Sequence, residues 1–172
     1  MKKGKFIVIE GGDGSGKSTQ ITKLKEYFGD NAIFTREPGG SPYGEEIREI
    51  ILNSPNAKQA DGKTHAALFW ASRADHLKNT ILPGLESGKH VISDRFDSST
   101  YAYQIHGQQE HPLKEIFPVF RNFFVGDNVP DLYIYLDVDI EEGLRRKANE
   151  GVEENHFDRK GGFLKRMHAG YL

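Results

Sequence analysis

The run Gly11-Gly12-Asp13-Gly14-Ser15-Gly16-Lys17-Ser18 fits the Walker A pattern without a mismatch. Its setting narrows the fold further. An apolar run, Phe6 to Ile9, precedes it, and a helical pattern from about Lys17 to Phe28 follows, with Ile21, Leu24 and Phe28 on one stripe. Strand, glycine loop and helix in that order make a phosphate cradle. Glycines let backbone amides turn inward around phosphate oxygens, and the helix N-terminus adds the positive end of its dipole. Lys17 supplies a point charge for the β and γ phosphates, and Ser18 a hydroxyl for Mg²⁺. The loop implies nucleotide binding. Other loops must choose among a GTPase, an ATPase motor and a small-molecule kinase.

The rest of the chain reads as a parallel α/β protein of the P-loop type, a sheet flanked by helices in three layers. Further strands are expected at Ala32–Phe34, His90–Ser93 and Leu132–Leu136. Helices are expected near 43–52, 64–82, 98–105, 113–124 and 140–149, the second of them stopping at Pro83-Gly84. The last segment, with Phe163, Leu164, Met167, Tyr171 and Leu172, has helical spacing. With 172 residues and no linker pattern, a single domain over 1–172 is expected. A formal net charge of -2 gives no basic excess for nucleic acid. The absence of cysteine excludes disulfides and thiolate metal sites. No segment has the apolar length of a membrane span, and Phe6–Ile9 is too short for a signal-peptide core, so a cytoplasmic protein is expected.

In a doubly wound sheet, ligands bind beyond the carboxyl ends of the strands. Arg36-Glu37-Pro38-Gly39-Gly40 follows strand two, Asp94-Arg95 strand three, and Asp137 and Asp139 strand four. Asp94 suits Mg²⁺ and Arg95 a phosphate, against the plainer alternative of an ion pair at a helix start. Asp137 and Asp139 read as ordinary helix N-terminal residues. Asp13, awkward inside a phosphate loop, suits a sugar hydroxyl or else is a solvated carboxylate. Phe69 and Arg73 share a helix face and suit a base, although a core phenylalanine beside a surface arginine is the commoner meaning of that spacing. Ser98 to Gln104 is rich in hydroxyls and amides, which suits base and sugar or merely a polar face. Arg145-Arg146-Lys147 and Asp158-Arg159 bracket a glycine- and glutamate-rich segment. These cations either complement a helix C-terminus or ride on a lid over the transferring phosphoryl group.

Together these stretches resemble the thymidylate kinase family over nearly the whole chain. The resemblance is carried by Phe6 to Thr19, Thr35 to Gly40, Phe69 to Arg73, Asp94 to Gln104 and Pro130 to Arg146. It implies transfer of phosphate from ATP, with Mg²⁺, to dTMP, by a homodimer. Gly11, Gly12, Asp13, Gly14, Ser15, Gly16, Lys17, Ser18 and Thr19 would hold ATP. Phe69 would stack on thymine, Arg73 and Gln104 would read its edge, and Thr100 would lie beside it. Arg36, Arg48 and Arg95 would hold the acceptor phosphate, Asp13 would face its sugar end, and Tyr103 would disfavour ribose. Ser18 and Asp94 would organise Mg²⁺, and Lys17, Arg95, Asp94 and Arg146 would form the catalytic set. Gly14 stands where some members carry a basic residue, so a lid near 145–159 would supply the arginine, Arg146 or Arg145 with Arg159 behind them.

The sequence also departs from the family. Ile105-His106-Gly107-Gln108-Gln109 replaces a glycine-rich, arginine-containing turn, and Gly161 stands where an acidic residue is usual. The family adds a final strand and helix that help hold adenine. Here the expectation is a truncated product or a four-stranded member, in either case with a sheet edge and an apolar helix face uncovered. A deoxynucleoside kinase and a non-catalytic nucleotide-binding protein are the competing functions.

Overall fold

The computed structural model describes residues 3–149 and 162–172. Four strands, β1 (Phe6–Glu10), β2 (Ala32–Arg36), β3 (His90–Asp94) and β4 (Leu132–Tyr135), form one parallel sheet in the order β2-β3-β1-β4. The register sets Ile9 beside both Asp94 and Ile134, and Arg36 beside Asp94. Arg36, Asp94, Glu10 and Tyr135 therefore finish on one edge of the sheet, which makes that edge polar and places the site there. Each strand runs one or two residues past or short of its apolar stretch, because ladder pairing and not hydropathy decides where it stops.

Helices α1 (Lys17–Phe28), α2 (Pro42–Asn53), α3 (Gly62–His76), α4 (Leu82–Glu86), α5 (Asp97–Thr100), α6 (Leu113–Phe124), α7 (Ile140–Asn149) and α8 (Phe163–Tyr171) complete the described chain. Phe6, Val8, Trp70, Leu77, Ile81, Val91 and Phe96 form the main core, and Ala102, Phe163 and Met167 a second one beneath α8. No described helix is long and apolar enough to cross a membrane.

Two expectations need correction. Pro83 does not end its helix. A π-helical stretch, Leu77–Ile81, carries α3 into α4, and Pro83 sits in the first turn of α4, where a missing N–H costs nothing. Gly84 then lies against β2 and β3, where a Cβ would come within 2.8 Å of Ile33 and 2.9 Å of Val91. The helix expected at 98–105 starts at Asp97, and α5 widens into a second π-helical stretch, Tyr101–Gly107. Such widening re-aims side chains and is frequent at functional sites.

The uncovered edge is present in the described chain. Leu132, Tyr133 and Ile134 of β4 are 50%, 36% and 37% exposed, and Phe123 of α6 is 79% exposed. Asp139 behaves as an N-terminal cap of α7, its Oδ1 accepting from Glu141 N (2.9 Å) and Glu142 N (3.3 Å). Asp139→Ala is expected to cost about 1 kcal/mol in a denaturant-unfolding midpoint. Asp137 instead contacts His168 of α8 at 2.6 Å.

Candidate active site

The glycine loop bends between β1 and α1 with left-handed residues at Gly14 (φ 72°) and Gly16 (φ 87°). Gly14 is also the point of closest approach to α7, since a side chain there would strike the backbone of Gly143. Lys17 folds back over the loop and donates to Gly11 O (2.9 Å) and Gly12 O (3.0 Å). Burial, and next the Arg95 guanidinium, push its ammonium down to about 8. The Oγ of Ser15 is buried and has no hydrogen-bond partner among the described residues.

Asp13 is not a solvated carboxylate. Its Oδ1 accepts from Arg95 Nη2 (3.3 Å) and its Oδ2 from Lys147 Nζ (2.8 Å). Burial acts to raise its pKa, but Arg95 and Lys147 outweigh burial and hold the carboxyl below the usual range. Asp94 and Arg95 are likewise not an ion pair with each other. Arg95 turns to Asp13, and Asp94 Oδ1 is buried without a partner among the described residues. Arg95 has a left-handed backbone (φ 73°), uncommon for a residue other than glycine. It is held by Arg95 N donating to Ile9 O (2.9 Å) and by Ser93 Oγ donating to Arg95 O (2.8 Å).

Beyond the strand ends lies a cavity of about 220 Å³. All nine residues expected to hold an acceptor line it: Asp13, Arg36, Arg48, Phe69, Arg73, Arg95, Thr100, Tyr103 and Gln104. Asp94 lines it too. Arg48 reaches its wall from α2 by donating to Pro38 O (2.7 Å), at a loop whose Glu37-Pro38 bond is cis. Arg36 is more exposed and pairs with Glu45 (3.0 Å). Asp94, Arg36 and Ser18 together border a second, adjoining cleft.

The floor of the cavity reverses the commoner meaning of the Phe69–Arg73 spacing. Phe69 is half-buried at the wall, whereas Arg73 is 1% exposed. Arg73 packs over Trp70 and Phe96, with its guanidinium 4.4 and 5.1 Å from the ring centres. Its Nε donates to Glu37 Oε2 (2.8 Å), and its Nη2 to Phe96 O and Thr100 Oγ1 (3.1 Å each). Arg73 Nη1 and both amide atoms of Gln104 are buried without partners among the described residues. Buried polar atoms are nearly always satisfied, so a cluster of such atoms beside a cavity marks where a ligand or water supplies the missing bonds.

Arg146 Nη1 lies 3.5 Å from Gly14 O and its Nε bonds Glu142, while Arg145 points away at 65% exposure. Arg159, Gly161 and the greater part of the expected lid lie outside the described residues. Thr19 follows Ser18 in the first turn of α1.

Several residues of the site carried no role in the sequence, or a different one from the contact they make. Glu10 closes β1, 2% exposed, and accepts from Phe96 N, Ser98 Oγ and Ser99 Oγ. Burial raises its pKa, more than Arg95 and its hydrogen bonds lower it. Glu37 sits within a motif already singled out, and its partner His76 lies three residues beyond Arg73. Tyr171 approaches from α8 with no local signal, and Lys147, expected at a helix C-terminus or on a lid, instead reaches Asp13 of the glycine loop from α7.

The thymidylate kinase family model matches residues 9–172. A thymidylate kinase of Alkalilimnicola ehrlichii is 41% identical over 99% of this chain and 79% of its own length. One of Pelotomaculum thermopropionicum is 43% identical, again over 99% of this chain and 79% of its own. The chain belongs to the thymidylate kinase family. The crystal structure of thymidylate kinase from Ehrlichia chaffeensis is similar in fold, with a TM-score of 0.76 at 31% identity, covering 98% of this chain and 83% of that one. The four-stranded parallel sheet flanked by helices is thus the P-loop nucleoside monophosphate kinase fold that this family shares.

Proposed function

We propose that the chain transfers the γ-phosphoryl group of ATP to the phosphate of dTMP, with the cavity beyond β2 and β3 as the acceptor site. The observation that carries this reading is the pairing of two features in one cavity. Its floor offers the unpartnered amide of Gln104 and Arg73 Nη1 to a base edge, and its other walls carry Arg36, Arg48 and Arg95. A nucleoside monophosphate has a hydrogen-bonding base at one end and a dianion at the other. The Phe69 ring supplies a stacking face, Thr100 and Tyr103 flank base and sugar, and Asp13 closes the sugar end. Three arginines suit an acceptor that already carries a phosphate, which disfavours a deoxynucleoside kinase.

On this reading Lys17 leaves the Gly11 and Gly12 carbonyls for the β and γ phosphates. Arg95 and Arg48 hold the acceptor phosphate in line, and Arg146 stands beside the loop where charge builds. An oxygen of the dTMP phosphate bonds to the γ phosphorus as the bond to the β–γ bridging oxygen breaks and ADP leaves. No protein base is needed, because a phosphate monoester is already largely ionised near neutrality. The buried, unpartnered Asp94 Oδ1 and the Ser18 hydroxyl border one cleft, an oxygen donor set that fits Mg²⁺ with phosphates and water completing its shell. There the ion would neutralise charge on the bridging phosphates. No described cluster of three or more carboxylates and histidines competes for it.

One domain over residues 1–172, acting as a cytoplasmic homodimer, belongs to the same reading. The exposed Val119 and Phe123 of α6 support an association surface. The test is ADP release from MgATP with dTMP, dUMP, dCMP and thymidine as separate acceptors. Turnover is expected to be strongest with dTMP. Arg95→Ala is expected to raise the dTMP KM and lower kcat, together by about 10²-fold in kcat/KM. Wild-type kinetics in that variant would overturn the acceptor assignment, and ATP binding without turnover on any acceptor would favour a non-catalytic protein.

A further inference from the structure

Tyr171, on the last turn of α8, enters the wall behind the acceptor cavity. Its phenol oxygen accepts from Arg95 Nη1 (3.1 Å) and donates to Glu10 Oε2 (3.0 Å), and it lies 2.8 Å from Ser99 Oγ. The ring stacks on Tyr135 (centres 4.8 Å apart, 25° between planes) and meets Tyr103 edge-on at 6.5 Å. The Arg95 guanidinium lies 5.2 Å from the centre of the Tyr103 ring. One hydroxyl therefore joins the ends of β1 and β3 and the α5 helix to a single arginine.

We infer that Tyr171 is a positioning residue for the acceptor phosphate, its phenol oxygen fixing the Arg95 fork before the phosphate arrives. The other side-chain hydrogen bonds on Arg95 are longer, 3.3 Å to Asp13 and 3.4 Å to Ser99, so the Tyr171 contact is the best formed of the three. Asp13 also bonds Lys147 through its other oxygen, whereas the phenol is anchored on a buried carboxylate. That anchor is Glu10, which is 2% exposed and held by Phe96 N (2.9 Å) and Ser98 Oγ (2.6 Å). The root of the Arg95 side chain is fixed by its left-handed backbone, and Tyr171 fixes the tip. A planar fork set in advance loses less freedom when it grips a phosphate. The role is separable from the packing of α8, because Phe163 and Met167 seat that helix against Ala102 without the phenol oxygen.

This inference rests on Arg95 being the holder of the acceptor phosphate. Tyr171→Phe removes one oxygen and keeps both ring contacts. It is expected to raise the dTMP KM about three- to tenfold, the effect of freeing one rotamer-rich side chain. The inhibition constant of thymidine, which has no phosphate, should not move when it competes with dTMP, and kcat should change little. A wild-type dTMP KM would overturn the inference. So would a parallel rise for thymidine, which would mean that Tyr171 acts only through α8 packing. Ser99→Ala removes the hydroxyl that lies 2.8 Å from the phenol oxygen and shares Glu10 Oε2 with it, and should move the dTMP KM in the same direction. Because Ser99 also meets Arg95 directly, this variant can only count against the inference: an unchanged KM there would overturn it even if the Tyr171 variant does not fold. Arg95→Ala run alongside separates the two levels. If it spares the dTMP KM, the phosphate-site reading falls and this inference with it. If it raises that KM while Tyr171→Phe does not, only this inference falls.

Discussion

Lys17→Ala is expected to lower kcat for ADP release with dTMP by about 10³-fold, the upper range for losing one preorganised donor at a site of developing charge. Lys17 has two jobs that no neighbour can share. Its ammonium occupies the centre of the loop, donating to Gly11 O and Gly12 O until phosphates displace those carbonyls. It is also a mobile point charge, able to follow the γ-phosphoryl group along its path, whereas Arg95 is tied to Asp13 and Tyr171. The fold should survive, because the side chain joins only the loop to itself and the glycine conformations do not depend on it. Steady-state kinetics together with an ATP titration would check this. A kcat within tenfold of wild type would show that the loop amides alone carry the phosphate charge.

The parts of the molecule that were legible in the sequence are those written in local spacing. The cradle is eight contiguous residues, and α6 and α7 have the bounds their patterns implied. The cavity beyond the strand ends was legible through the motifs there, since parallel register lines up Arg36 and Asp94 whatever the loops do. What was not legible is long-range. Periodicity sees an arginine four residues from a phenylalanine and cannot see that Arg73 is inside, because its burial depends on Glu37, thirty-six positions away. Tyr171 and Lys147 reach the site only through the packing of α8 and α7. Pro83 misled for a related reason. A proline stops a helix only if an N–H is required at its position, and the π-helical stretch before it removed that requirement.

Glu37→Ala should be the most destabilising change at the site. Glu37, Arg73 and His76 are 3%, 1% and 0% exposed, and one carboxylate serves both partners. Oε2 accepts from Arg73 Nε at 2.8 Å and Oε1 lies 3.0 Å from His76 Nδ1. A carboxylate only accepts, so His76 donates from Nδ1, and its Nε2 lies 2.6 Å from Thr35 Oγ1. Thr35, His76, Glu37 and Arg73 thus form one chain from the half-buried end of β2 to the buried floor of the cavity. Removing the carboxylate leaves a buried guanidinium with only the Phe96 carbonyl and the Thr100 hydroxyl as named partners. Stranding one charge of a buried pair costs about 3–5 kcal/mol, which for a chain of this size lowers Tm on the order of 10 °C. Adding Arg73→Met should recover part of that loss, because removing both charges is far less costly than stranding one. Turnover of dTMP should not recover with it if the base is read as proposed, since the double variant has lost the unpartnered Nη1 donor at the cavity floor. Thermal melts and dTMP kinetics on the single and double variants check both halves. A Glu37→Ala protein with the wild-type Tm would show that Arg73 stays charged and buried without its carboxylate. Recovery of dTMP turnover in the double variant would remove Arg73 from the base-reading set.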